Sequence, residues 1–235
     1  MGQEAGFRMA DLVITIDGPA GSGKSTVARL VAEKLGANFL DTGAMYRAVT
    51  LAAMEAGVDM SDENQLVTVF DTHRFRFAAV GDVMAVYIDG KDVTERIRKP
   101  EATANVRYIA SSPKMRARLV EMQRQFAAGQ ERIVTEGRDQ GTVAFPDAHI
   151  KFFLTADVGE RARRRQAELQ AQGITESIEN TKAAIEARDR SDENRTVGPL
   201  KPACDAVVID TTTLSVEGVV DEVIRFVENR CRAKR

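Results

Sequence analysis

Eight consecutive residues, Gly18-Pro19-Ala20-Gly21-Ser22-Gly23-Lys24-Ser25, match the pattern G-x-x-x-x-G-K-[ST] in full. Glycines at this spacing let the backbone turn so that successive N–H groups converge on phosphate oxygens. A helix starting at the end of the loop adds its own unpaired N–H groups and a partial positive charge. Lys24 then reaches the β- and γ-phosphates of a nucleoside triphosphate, and Ser25 offers a hydroxyl to Mg²⁺. Thr26 follows on the α-phosphate side. The implied chemistry is binding of ATP with Mg²⁺ along Gly18 to Thr26, with Ser25 as the metal contact. A glycine-rich turn that binds nothing is the alternative, and the strand-like run before it and helical run after it weigh against that.

Three further clusters combine cations with carboxylates or hydroxyls. Asp41-Thr42-Gly43-Ala44-Met45-Tyr46-Arg47 opens a helix, where an N-terminus with Arg and Tyr nearby can clamp a phosphate. Glu136-Gly137-Arg138-Asp139-Gln140-Gly141-Thr142 follows a strand, at the end where α/β folds place ligands. Arg188, Asp192 and Arg195 are four and three residues apart and share a face if their helix persists. Taken singly, each is equally readable as a charged turn or a solvated salt-bridged surface. Beside a phosphate-binding loop they gain meaning, because phosphoryl transfer is mostly positioning and charge stabilisation by several cations.

The elements that must hold these residues follow an alternating pattern. Leu12 to Asp17 is a β-branched apolar run that reads as a buried strand, and Ser25 to Leu35 has helical spacing with Gly36 as its C-cap. Asn38 to Leu40 is a second strand and Met45 to Ala56 a second helix. From His73 the period changes to two: Phe75 and Phe77 alternate with Arg74 and Arg76. Val83 to Ile88 and Lys91 to Val93 follow, separated by Gly81-Asp82 and Asp89-Gly90, which predicts an antiparallel meander inserted into the pattern. Ser112-Pro113 starts a helix in the favoured cap order, with Met115, Leu119, Met122 and Phe126 as its apolar stripe. Strands are expected at Arg132 to Thr135, Ile150 to Thr155 and Ala206 to Asp210. Helices are expected from Asp157 to about Gln172, from about Thr175 into the 190s, and from Val216 to Asn229. Strands alternating with helices imply a P-loop NTPase-type three-layer α/β/α core around a parallel sheet, with the meander as an insert.

The chain of 235 residues suits one α/β domain with a sizeable insert, or two small domains. Its net charge of -2 and pI of about 5.9 argue against a general nucleic-acid binder. The cations are nonetheless skewed to Arg, 24 against 9 Lys, and the Arg fork matches paired phosphate oxygens. A compositional bias would produce the same skew. No apolar run is long enough to cross a bilayer. The first ten residues lack the apolar core of a secretory signal, and Gly6 stands where a myristoylation site needs Ser or Thr. They are expected to form a short disordered lead, with Met9 as an alternative start. Cys204 and Cys231 offer no disulfide framework or metal spacing, which fits reduced thiols in a cytoplasmic protein.

A phosphate loop alone does not separate kinases from GTPases or mechanical ATPases. A guanine-reading Asn-Lys-x-Asp is absent, because no Asn precedes a Lys, and translocating ATPases are usually larger. A kinase for a small acceptor is the economical reading, with a non-catalytic ATP-dependent switch as the rival class.

The residues also resemble a known family. GPAGSGKS, DTGAMYRA, the meander, EGRDQGTVAFPDA, ARDRSDENRTVGPL and DAVVIDTTTLS are similar to the bacterial cytidylate kinases from Val13 to about Val227. The resemblance implies ATP- and Mg²⁺-dependent phosphorylation of CMP and dCMP by a cytoplasmic monomer, without nucleic-acid or membrane partners. It implies a core of residues 11–41, 109–171 and 201–230, a monophosphate-binding domain of 42–108 and a helical lid of 172–200. It assigns Lys24, Arg138, Arg188 and Arg195 to catalysis. It assigns Thr42, Tyr46, Arg47, Arg116, Arg138, Asp139, Arg188, Asp192 and Arg195 to the acceptor, with Asp192 on the ribose. At most one or two of Arg161, Arg163, Arg164 and Arg165 are expected to face ATP. The chain departs from the family at Thr42, where serine is frequent, and at Glu136, where aspartate is also common. It departs again at Arg107, six residues before Pro113, where a serine often touches the base.

Overall fold

The computed structural model describes residues 10–80, 83–171 and 173–232. The expected N-terminal lead, the Gly81-Asp82 turn and Gln172 lie outside these residues, apart from Ala10, which is buried. Strand β1 (Leu12–Asp17) leads through the glycine loop into helix α1 (Lys24–Leu35). Gly36 ends α1 in the left-handed conformation and donates its N–H to Glu33, as its C-cap position requires. Then come β2 (Asn38–Asp41) and α2 (Thr42–Glu55). The second helix starts three residues earlier than its apolar spacing suggests, because the Asp41 side chain caps it by accepting from Ala44 N–H at 2.8 Å.

Helix α3 (Glu63–Thr72), capped by Asp62, precedes the insert. The insert is an antiparallel sheet of β3 (Phe75–Val80), β4 (Val83–Ile88) and β5 (Lys91–Asp92). Both Asp89 and Gly90 have positive φ, at 49° and 80°, which suits the second hairpin turn. A 3₁₀ turn (Arg96–Arg98) leads to α4 (Pro100–Ser111) and α5 (Pro113–Ala128). Ser112 caps α5 and Pro113 is its first residue, as the sequence order predicts. The remaining elements are β6 (Arg132–Gly137), a π turn (Gln140–Ala144), β7 (Ile150–Thr155), α6 (Val158–Ala171), α7 (Ile178–Glu193), β8 (Val207–Asp210) and α8 (Val216–Arg232).

The five core strands form one parallel sheet in the order β2-β6-β1-β7-β8. Successive residues of β1 serve opposite faces. Val13 joins the core formed with Met45, Val49 and Leu119 of α2 and α5, while Ile14 and Ile16 join Val27, Val31, Val219 and Val223 of α1 and α8. The insert packs on the first of these cores through Met84, Val86 and Ile88. Because β1 is central and the chain next goes to the edge strand β2, a crevice opens beyond the carboxyl ends of β1 and β6. The phosphate loop, the loop after β6 and the N-terminus of α2 all end there.

Candidate active site

The phosphate loop is shaped by close backbone contacts. A Cβ on Gly18 (φ 156°) would collide with the Leu154 carbonyl of β7, and one on Gly21 (φ 76°) would come within 3.0 Å of the Arg161 carbonyl of α6. Glycine is the residue that both the dihedral and the space allow. Helix α1 has Gly23 as its N-cap and no side-chain cap, like α4 at Lys99, whereas α2, α3, α5 and α7 are capped by Asp41, Asp62, Ser112 and Ser177. Its first N–H groups are therefore left open to an anion. Buried Lys24 donates to the Pro19 carbonyl at 3.1 Å. Burial first, then Arg138, pushes its pKa down to about 7, with Glu136 opposing. A phosphate beside it would restore the ammonium.

Ser25 Oγ donates to Glu136 Oε1 at 2.8 Å, and Thr42 Oγ1 donates to the Glu136 carbonyl at 2.7 Å. Glu136 thus joins the donor loop to the α2 N-terminus. A hydroxyl beside one buried carboxylate fits Mg²⁺, which keeps several waters and takes few protein ligands besides phosphate. Among the described residues no group of three or more His, Cys, Asp or Glu could hold a metal by itself, in keeping with so sparse a donor set.

Across the crevice, arginines are paired with carboxylates. Arg116 is buried against Asp139 and also donates to the Ala110 carbonyl at 3.3 Å. Arg138 Nε donates to Asp192 Oδ2 at 2.8 Å, Arg195 Nη2 lies 3.2 Å from Asp192 Oδ1, and Arg47 lies 3.4 Å from Asp41. Asp192 is held below the usual carboxylate range by Arg138, Arg195 and Arg188, against the opposing effect of its burial. The Arg116 guanidinium lies 5.8 Å from the Tyr46 ring centre, and burial raises the Tyr46 phenol to about 12. Arg188 forms no ion pair among the described residues. It lines the crevice with exposed surface, and its pKa falls to about 10 through desolvation, then Arg138, with Asp192 opposing. Among the described residues, Lys24 and Arg188 are the site's cations without a carboxylate partner within ion-pair distance.

The cytidylate kinase family model matches residues 14–229. The chain belongs to the cytidylate kinase family. It is 47% identical over 222 residues to a cytidylate kinase of Rhodopirellula baltica, covering 94% of this chain and 95% of the relative. It is 43% identical to one from Vibrio cholerae and 46% identical to one from Limosilactobacillus fermentum, with 93% and 94% of this chain and 96% and 97% of the relatives covered.

Set against the sequence expectations, this cytidylate kinase family member brings Lys24, Ser25, Thr42, Tyr46, Arg47, Arg116, Arg138, Asp139, Arg188, Asp192 and Arg195 into one connected cluster around the crevice. One expectation needs correcting. Arg195 is not on the helical face of Arg188 and Asp192, because α7 stops at Glu193 with Asn194 as its C-cap. The chain instead folds back, and Arg195 Nε donates to the Asp192 carbonyl at 3.3 Å. Of the four arginines on α6, Arg161 and Arg164 lie against the phosphate loop, while Arg163 and Arg165 pair with Glu160 and Glu168 at the surface. Arg107 is exposed and stacks on Tyr108, its guanidinium 5.0 Å from the ring centre.

Sequence reasoning did not assign a role to Asp17, Glu136 or Arg161. Asp17 is buried below the loop after β6, and its two carboxylate oxygens accept from Gln140 and Gly141 N–H, each at 2.8 Å. Gln140 is fixed in turn by Thr135 Oγ1 at 2.9 Å and Gln123 at 3.3 Å. The available signal was a carboxylate closing an otherwise apolar strand, LVITID, which is costly unless something pays its desolvation.

Proposed function

We propose that this protein transfers the γ-phosphoryl group of ATP, with Mg²⁺, to the 5′-phosphate of CMP and dCMP. The observation that carries the reading is the opposition in one crevice of an uncapped, glycine-lined helix N-terminus and a set of arginines held by exchangeable carboxylate partners. Family membership names the acceptor class.

An acceptor phosphate oxygen is anionic near neutral pH, so it attacks the γ-phosphorus in line without a general base. The amides of Gly18 to Thr26 and the Lys24 ammonium hold the donor phosphates. Ser25 and Glu136 would hold Mg²⁺, which supplies positive charge to the phosphate oxygens when bound. Arg47, Arg116 and Arg138 receive the acceptor phosphate, while Thr42, Tyr46, Asp139 and Asp192 orient the nucleoside. Lys24, Arg138, Arg188 and Arg195 spread the charge of the transition state. Arg188 is suited to the moving phosphoryl group because it has no carboxylate to give up.

In this reading residues 11–41, 109–171 and 201–230 form the core, 42–108 bind the monophosphate, and 172–200 close as a lid that excludes water. The enzyme acts as a cytoplasmic monomer. The test is ADP release with Mg²⁺-ATP and one acceptor at a time: CMP, dCMP, UMP, AMP, GMP and dTMP. Fast turnover with CMP and dCMP alone is the expected result. Another best acceptor overturns the base assignment, and no turnover with any of them overturns the kinase reading.

A further inference from the structure

Helix α6 starts behind the phosphate loop, and Arg161 in its first turn is a buried cation that reaches three separate pieces of chain. Its Nε donates to the Ala156 carbonyl at 3.0 Å. Its Nη1 donates to the Ala20 carbonyl of the phosphate loop at 3.1 Å and to Asp189 Oδ2 of α7 at 2.6 Å. The loop also rests on the backbone of this residue, since a Cβ at Gly21 would lie 3.0 Å from the Arg161 carbonyl. One guanidinium therefore touches the loop that holds the donor and the helix that carries Arg188.

Asp189 follows Arg188 directly and precedes Asp192 by three positions, so the two carboxylates face inward from one side of α7. Two ion pairs pin the helix: Arg161–Asp189 on the phosphate-loop side and Arg138–Asp192 on the acceptor side. Stability alone is a poor reason for the first pair. Buried ion pairs often break even with apolar packing. Here Asp189 Oδ1 is buried without a hydrogen-bond partner, which adds to the cost. What an apolar contact could not supply is a directional link from a loop carbonyl to a fixed point on α7.

We propose that Arg161 is a positioning residue: with Asp189 it sets the spacing between the phosphate loop and α7, and so places Arg188 at the transferring phosphoryl group. Arg161 itself touches no substrate. The inference rests on the phosphoryl-transfer reading of the crevice.

The test is a double-mutant cycle between position 161 or 189 and Arg188. Arg161→Lys keeps the charge but gives up the rigid guanidinium whose Nε and Nη1 together hold Ala156, Ala20 and Asp189. Asp189→Asn keeps the shape. Each is expected to lower kcat for CMP by about 10- to 100-fold with both KM values nearly unchanged, the signature of a misplaced group. In an Arg188→Ala background, neither should lower kcat further, since there is no guanidinium left to place. Calorimetry on each variant reports its Tm, and the double variant Arg161→Met/Asp189→Leu repeats the cycle with the buried charges removed together. Equal fold-losses in the presence and absence of Arg188 overturn the proposal and leave the pair a structural one. Absence of CMP turnover by the unmodified protein overturns the reading of the crevice, and the proposal with it.

Discussion

In the proposed function the donor half of the crevice offers phosphate its backbone, and the acceptor half offers side chains. On the donor side the groups are loop amides and an uncapped helix end, contiguous from Gly18 to Thr26 and shaped by glycines whose replacement would strike Leu154 or Arg161. On the acceptor side Arg47, Arg116, Arg138 and Arg195 come from separate segments, and each is already opposed by Asp41, Asp139 or Asp192. A backbone site needs no counter-charge, because its dipoles are fixed by the fold. Several guanidinium groups in one crevice would repel one another, and the paired carboxylates offset that repulsion. In the proposed reading the donor half is built from fixed backbone dipoles, and the acceptor half works by exchange of partners.

The contrast is broken most forcefully at Lys24, the donor half's own cation. Lys24→Ala should lower kcat by about 10³-fold, the upper range for loss of one preorganised charge-stabilising donor. Its Tm without nucleotide should hold or rise, because burial and Arg138 disfavour the ammonium. Near-normal kcat in this variant would sink the donor assignment. Arg116→Lys attacks the other half. It keeps charge but loses the fork that spans Asp139 and the Ala110 carbonyl, so KM for CMP should rise by about 10²-fold, with KM for ATP unchanged. Equal changes in both KM values would erase the distinction between the halves.

The same contrast governs what could be read from the chain. The donor half is contiguous, so its eight-residue motif, the strand before it and the helix after it were all legible without knowing the fold. Local caps were legible for the same reason, as at Ser112-Pro113 and Gly36. The acceptor half became legible by family likeness, because Arg116 and Asp139 meet across 23 residues and Arg138 and Asp192 across 54. The apolar spacing of the sequence does not predict helices α3 and α4. Each buries two residues, Leu66 and Val69 in one and Ala102 and Ile109 in the other, too few to set a strong period. Asp62 and Pro100 stood at their starts as the signals to use. The condition placed on Arg195, that its helix persists, fails because α7 ends with Asn194, a C-cap residue type, and Gly198 follows at φ 61°.

Asp17 sits where the halves join, ending the strand that leads into the phosphate loop while holding the amides of the loop that carries Arg138 and Asp139. Burial raises its pKa from 3.8 to about 7, opposed by the Gly141 and Gln140 amides and assisted by Asp139 and Glu136. A raised carboxyl pKa means the folded chain binds the proton more tightly than the unfolded one. Its contribution to stability therefore falls as pH rises from about 4 to about 7 and is level above that. Between pH 5 and 7 the loss is about 2 kcal/mol, or roughly 4 to 8 °C in Tm for a domain of this size. Asp17→Asn should remove that part of the slope in a pH series of melting curves. Parallel curves for the two proteins would show that the amides keep Asp17 ionised throughout.

The smallest effect belongs to Ser25, where the backbone-built half relies on a side-chain oxygen. Its hydroxyl donates to the Glu136 carboxylate at 2.8 Å while the Glu136 backbone carbonyl accepts from Thr42, so one residue ties Thr42 and, in the proposed reading, orients the metal contact of the donor half. Ser25→Ala removes one oxygen from a site that waters and phosphates largely complete. The Mg²⁺ concentration for half-maximal activity should rise by about 10-fold, with kcat regained at high Mg²⁺ and KM for CMP unmoved. A rise in KM for CMP as well would mean that the Ser25–Glu136 bond also supports Thr42, and that the two halves share a mechanical joint at Glu136 rather than standing as independent sites.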